Sequence, residues 1–137
     1  MTSLKLYDIV IIDLGHQSGS DSSVQQGLRP ALILQNDKQN AASTTTIAAP
    51  ITSCLKKTSM FSHILLGKRF GLRTESMLLL EQLRTVDQSS VIKVIGHITD
   101  ESVITSINQG ILKTLGIHAR VLNTSMSEDI ARCQHGE

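Results

Sequence analysis

A chain of 137 residues and 14.9 kDa can build one hydrophobic core and is short for two, so a single domain is expected. A net charge of +1 and a pI near 7.9 exclude a broadly basic glove for long nucleic acid, and one Tyr, two Phe and no Trp exclude an extended stacking platform for bases. Cys54 and Cys133 stand in no metal-ligand or redox spacing and read as free thiols of a reducing cytosol, and no basic run leads into a long apolar stretch, so neither a signal peptide nor a membrane span is expected.

Residues 7–14 are rich in Ile and Val between charged markers, which predicts a first strand covered on both faces. Residues 15–26 turn to Gly, Ser, Asp and Gln and predict a long mobile loop, since that composition favours turns and has little to bury. Residues 31–35 give a second strand. Pro30 pushes Arg29 into extended geometry and belongs at the start or edge of a strand, so Arg29 is expected at an exposed rim. Residues 36–43 read as a polar loop, and residues 44–52 as a Thr/Ile/Ala strand ending at Pro50. Together these elements predict a strongly bent antiparallel sheet.

Further on, residues 62–66 form a short strand, a turn follows around Gly67 and Gly71, and residues 76–83 form another strand. Residues 92–98 suit either a last short strand or a helical turn, and periodicity does not decide between them. Asp100 is placed to cap a helix with Glu101 in its first turn. Val103, Ile104, Ile107, Ile111, Leu112 and Leu115 then recur at three- and four-residue steps, Lys113 lies near the end, and Gly116 suits a left-handed cap. The apolar stripe predicts packing against the sheet. Past Val121 the chain is polar, which sets a folded domain at 1–121 and a flexible tail at 122–137. The fold class expected is mainly β with a C-terminal helix: a small barrel-like antiparallel sheet carrying one long helix.

Three stretches carry more than architecture: Gly27-Leu28-Arg29-Pro30 leading to Gln35-Asn36-Asp37, Pro50-Ile51-Thr52-Ser53, and Glu81-Gln82-Leu83-Arg84-Thr85-Val86-Asp87. With Asp8 and Asp13 around the first strand, Gly19-Ser20 and Gly71-Leu72, these pieces in this order resemble the MazF/PemK family of toxin endoribonucleases over residues 7–115. The resemblance implies an SH3-like barrel of the PemK/CcdB type, a homodimer, and a catalytic Arg and Thr at Arg29 and Thr52. It also implies contacts to single-stranded RNA from Ser20, Asp21, Ser53, Glu81 and Gln82, and products ending in 2′,3′-cyclic phosphate and 5′-OH. The implied partner is a MazE-like antitoxin whose flexible, acidic C-terminal segment fills the RNA groove. Three features depart from the family pattern: Ser22-Ser23-Val24 lengthen the first loop, Asp21 stands where many members carry Glu, and the polar tail extends past the long helix.

The residue types suit that chemistry. Cutting RNA without a metal requires removal of the 2′-OH proton, charge opposite the phosphorane, and a proton for the departing 5′-oxygen. Arg offers a fixed forked donor matched to phosphate oxygens, and a hydroxyl adds one short hydrogen bond. An always-charged guanidinium makes a poor base, so electrostatic stabilisation is its safest role. Glu81 is one candidate base, and His16 and His63 are others within reach of the rim. Lys56, Lys57, Lys68, Arg69 and Arg73 form a loose basic band. No P-loop and no metal-ligand spacing is present in the sequence, and no cofactor is expected. Two other classes share the fold: a CcdB-like poison of DNA gyrase, and a catalytically inactive relative. The gyrase binder has no need of the Arg29 and Thr52 pair.

Overall fold

The computed structural model describes residues 3–15 and 27–118. Seven antiparallel strands run as β1 (Asp8–Asp13), β2 (Leu28–Ile33), β3 (Thr45–Thr52), β4 (His63–Gly67), β5 (Ser76–Leu79), β6 (Arg84–Asp87) and β7 (Val91–His97). A short helix α1 (Asp37–Ala42) joins β2 to β3, and a long helix α2 (Glu101–Thr114) closes the described chain. The sheet order is β4-β5-β3-β2-β1-β7, with β6 also on β3. No ladder joins β4 to β7, so the expected barrel is a bent sheet that does not close. The domain boundary expected at residue 121 lies outside the described residues.

Two prolines mark where the sheet bends. β2 pairs with β1 from Leu28 onward, but its ladder to β3 stops at Ala31 opposite Pro50. Pro30 has no N–H with which to extend that ladder. Along the other edge of β3, pairing with β6 runs as far as Ala48 and pairing with β5 starts at Ile51. Pro50 falls in the gap, where neither neighbour needs a donor. β3 therefore continues through Pro50 to Thr52 and changes partners at the proline, instead of ending there.

Side-chain alternation along the strands feeds two cores. Ile9, Leu32, Ala49, Ile51, Leu78 and Leu80 pack with Ile98 and with Ile107 of α2. Val10, Ile12, Ala31, Ile33, Ala48 and Val86 form the second core. β1 is thus covered on both faces, as its unbroken apolar run requires. Each fully buried aliphatic side chain contributes about 1.5–3 kcal/mol. Helix α2 comes close because Gly110 has no side chain: a Cβ there would stand 2.7 Å from both the Phe61 carbonyl oxygen and Leu80 Cδ1. Its cap is as the sequence predicts. Asp100 accepts from the Ser102 N–H at 2.9 Å, and Gly116 takes a φ of 72°. The Arg69 guanidinium, 2.7 Å away, and then the Ser102 donors hold the Asp100 carboxyl far below the usual carboxylate range, so the cap stays ionised.

Two local expectations are corrected and one open choice is decided. Residues 36–43 are not simply a loop, because Asn36 caps α1 by accepting from the Gln39 N–H at 2.9 Å. The strand expected over 76–83 ends at Leu79, where a 3-10 turn (Leu80–Gln82) intervenes before β6. Residues 92–98 resolve in favour of a strand, β7, paired along β1.

Buried polar bonds hold α1 against β3. Asn40 is 2% exposed, and its Oδ1 accepts from Gln35 Nε2 at 2.9 Å and from Thr46 Oγ1 at 2.7 Å. Its Nδ2 donates to the Gln35 carbonyl at 2.9 Å. Removing this amide strands two donors and one acceptor, so Asn40→Ala is expected to lower stability by about 3 kcal/mol. The check is urea unfolding with an unchanged m-value; a loss under about 1 kcal/mol would mean that the network does not hold α1.

Candidate active site

Arg29 lies in β2 opposite Ile12 of β1, and it is partly buried where full exposure at a rim was expected. At this level β2 is still paired with β1, although its ladder to β3 has ended at Ala31, so Arg29 is covered from one side. Thr52 ends β3, is 4% exposed, and accepts from the Cys54 N–H at 3.0 Å. That bond folds the chain out of the strand and leaves the hydroxyl proton free to be donated elsewhere. Ser53, next in the chain, is exposed.

Arg29 and Thr52 stand 23 positions apart in the chain, one at the start of β2 and the other at the end of β3. The β2–β3 ladder ends at Ala31 opposite Pro50, and beyond it Arg29 on β2 and Thr52 on β3 each lie two residues further toward the same end of the sheet, Arg29 on the face of Ala31 and Thr52 on that of Pro50. Thr52 pairs in turn with Met77 of β5, and Met77 with Leu65 of β4. A row Thr52, Met77, Leu65 therefore crosses three strands. The ends of the first loop are tied beside it: the Leu14 N–H donates to the Gly27 carbonyl at 2.9 Å, and the Gly27 N–H to the Gly15 carbonyl at 2.8 Å. Ser20, Asp21 and His16, expected between those ends, lie outside the described residues.

Glu81 is exposed and Gln82 is half-buried, both in the turn after β5. The Glu81 carboxylate meets His63 Nε2 of β4 at 2.5 Å, a pairing that the sequence left open because 18 residues separate the two. The basic band divides. Arg69 is engaged by Asp100 and lies over Phe70 with its guanidinium carbon 4.5 Å from the ring centre, so its role is structural. Arg73 and Lys93 face a cleft of about 630 Å³ floored by Ile11, Pro30, Leu72 and Ile95, with no carboxylate among its lining residues. Among the described residues no group of three or more His, Cys, Asp or Glu could hold a metal ion. Nor does any described helix have the length and apolarity to cross a membrane.

Comparison with known proteins bears directly on this arrangement. A family model described as PemK-like, MazF-like toxin of type II toxin-antitoxin system matches residues 5–115. The chain belongs to the PemK/MazF toxin family. It is 38% identical over 99 residues to Endoribonuclease EndoA of Bacillus subtilis, an alignment covering 72% of this chain and 83% of that protein. It is 34% identical over 112 residues to Endoribonuclease MazF of Staphylococcus saprophyticus, covering 81% and 90% respectively. The MazE-MazF structure from Deinococcus radiodurans matches with a TM-score of 0.68 at 21% identity, over 86% of this chain and all of that one, 100%. At that identity the match shows the MazF fold, with the same bent sheet and C-terminal helix.

Proposed function

We infer that this member of the PemK/MazF family is the toxin of a type II toxin-antitoxin pair, acting in the cytoplasm as a sequence-specific, metal-independent endoribonuclease on single-stranded mRNA. The observation that supports the catalytic reading is the antiparallel pairing of β2 and β3, by which Arg29 and Thr52, each two residues past the Ala31–Pro50 pair, lie at the same end of adjacent strands. Their chemistry is complementary. The guanidinium places fixed positive charge and forked donors on the phosphorane, and the Thr52 hydroxyl adds a donor whose oxygen is already oriented by the Cys54 N–H. Products end in 2′,3′-cyclic phosphate and 5′-OH, because attack by the neighbouring 2′-oxygen expels the 5′-oxygen.

Ser20, Asp21, Ser53, Glu81 and Gln82 contact the RNA around this pair, where unpaired bases offer their edges for reading. The working form is a homodimer, held inactive by a MazE-like antitoxin. That partner is supported by the Deinococcus relative, which was solved as MazE-MazF. The gyrase-poison reading is not favoured, since the curated relatives carry endoribonuclease names.

The test is incubation of the purified chain with a long single-stranded RNA in EDTA, followed by mapping of cut sites and end groups. Discrete cuts with cyclic-phosphate ends are expected. A folded protein that leaves the RNA intact, or that cuts only when magnesium is restored, would overturn this reading.

A further inference from the structure

His63 is gripped at both ring nitrogens. Nδ1 lies 3.1 Å from the Lys56 carbonyl oxygen and 3.2 Å from that of Lys57, and Nε2 lies 2.5 Å from Glu81 Oε2. Carbonyl oxygens only accept, so Nδ1 is the donor toward the two backbone oxygens, and Nε2 faces the carboxylate. The backbone supports the grip. Lys57 stands in the left-handed region at φ 48°, uncommon for a residue with a Cβ, and the carbonyls on both sides of its α-carbon converge on the same nitrogen. Ser62, 3% exposed, places Oγ 3.4 Å from the same Oε2, while its carbonyl accepts from the Leu80 N–H at 2.8 Å and ties β4 to the Glu81 turn.

This arrangement fixes one carboxylate oxygen and leaves the other available. The bonds that Glu81 makes with His63 and Ser62 both fall on Oε2, and the Glu81 side chain is 37% exposed against 10% for His63. A packing histidine would need no such clamp on an accessible carboxylate. His63 also shares a face of the sheet with Thr52. His63 stands opposite Leu79, one row along from the row that joins Leu65, Met77 and Thr52. Two strand spacings and one two-residue step put His63 roughly 12 Å from Thr52. That is too far for the scissile phosphate and suits a neighbouring nucleotide.

We propose that His63 is a positioning residue for RNA recognition: by clamping Glu81 Oε2 it aims Oε1 at an N–H on the edge of a base flanking the cleaved bond. The proposal rests on the ribonuclease reading and deepens it. A carboxylate with one immobilised oxygen offers its other oxygen as an acceptor of fixed direction, which suits reading a donor on a base edge. Loss of the clamp frees the side chain to rotate, so binding and base preference suffer while the distant chemistry persists.

The experiment is steady-state cleavage of a short RNA bearing the preferred site, and of the same RNA with each flanking base replaced in turn, by the full chain and by His63→Ala and His63→Gln. His63→Ala is expected to raise KM about tenfold with kcat within about threefold, and to lose its preference at one flanking base alone. His63→Gln, whose amide N–H can still reach the carboxylate, is expected to recover part of both. Equal losses of kcat and kcat/KM, or base preferences identical to those of the parent, would overturn the proposal while leaving the ribonuclease intact. Failure of the parent chain itself to cut RNA would remove both together.

Discussion

Arg29→Ala is expected to slow RNA cleavage by about 10²-fold or more, the scale of losing one preorganised donor to a developing oxyanion. The effect should fall on kcat, since the charge it opposes is greatest in the transition state. Arg29→Lys separates two contributions: it keeps a cation but loses the planar fork that engages two phosphate oxygens, so an intermediate rate is expected. Because Arg29 is partly buried in β2, the alanine variant will lose some packing from the arginine stem as well as its charge. The control is therefore thermal unfolding of each variant at the assay temperature. Cutting by a folded Arg29→Ala within a few-fold of the parent would remove Arg29 from the catalytic role, and so would a loss of activity fully accounted for by unfolded protein.

Gly96→Ala should be the most damaging small substitution in the described chain. A Cβ at Gly96 would stand in overlap with the Phe70 carbonyl oxygen, 1.7 Å away, and a Cβ at Gly71 would meet the Ile95 carbonyl oxygen at 2.1 Å. The 70–71 backbone thus lies directly on β7 at residues 95 and 96. Both obstacles are main-chain atoms, which have no rotamer through which to escape. Relief requires β7 to move away from the 70–71 segment, and Ile95 and Phe70 pack against the core beneath α2. A loss at or above ~3 kcal/mol is expected, the upper end of the cost of overpacking. For a domain of this size that lowers the unfolding midpoint by roughly 10 °C or more. Gly15→Ala is the matched comparison, with φ 74° and nothing within 4 Å of its Cβ, so it carries only the left-handed backbone cost of about 1–2 kcal/mol. Equal midpoints for the two variants would show that the close crossing at Gly96 is not a constraint on the fold.

Local chemistry made several elements readable directly. The helix α2 follows from the Asp100 cap, the three- and four-residue apolar steps and Gly116, because each acts within a few residues along the chain. β1 follows from its unbroken apolar run, which only a strand buried on both faces can satisfy. Residues 36–43 misled for an equally local reason: Asp, Asn, Gln and Ser read as a loop unless a cap is recognised, and Asn36 supplies that cap. The 3-10 turn at Leu80–Gln82 gave no signal, since it arises where β3 exchanges β5 for β6 around Pro50 and not from any propensity of its own.

The sequence by itself pointed to the family, to strands β1 to β5 and helix α2 in their order, and to the residue types able to meet a phosphate, while α1 and β6 were not read from it and β7 was left open. Those depend on short-range backbone preferences and on motifs contiguous in the chain. Only the tertiary structure decided which of them meet. The antiparallel pairing of β2 with β3 carries Arg29 and Thr52 to the same end of the sheet, and since side chains alternate faces along a strand a slip of one residue would send either to the opposite face. The clamp of His63 on Glu81 needs β4, β5 and the following turn to be folded together, because 18 residues of chain carry no memory of which carboxylate an imidazole will find.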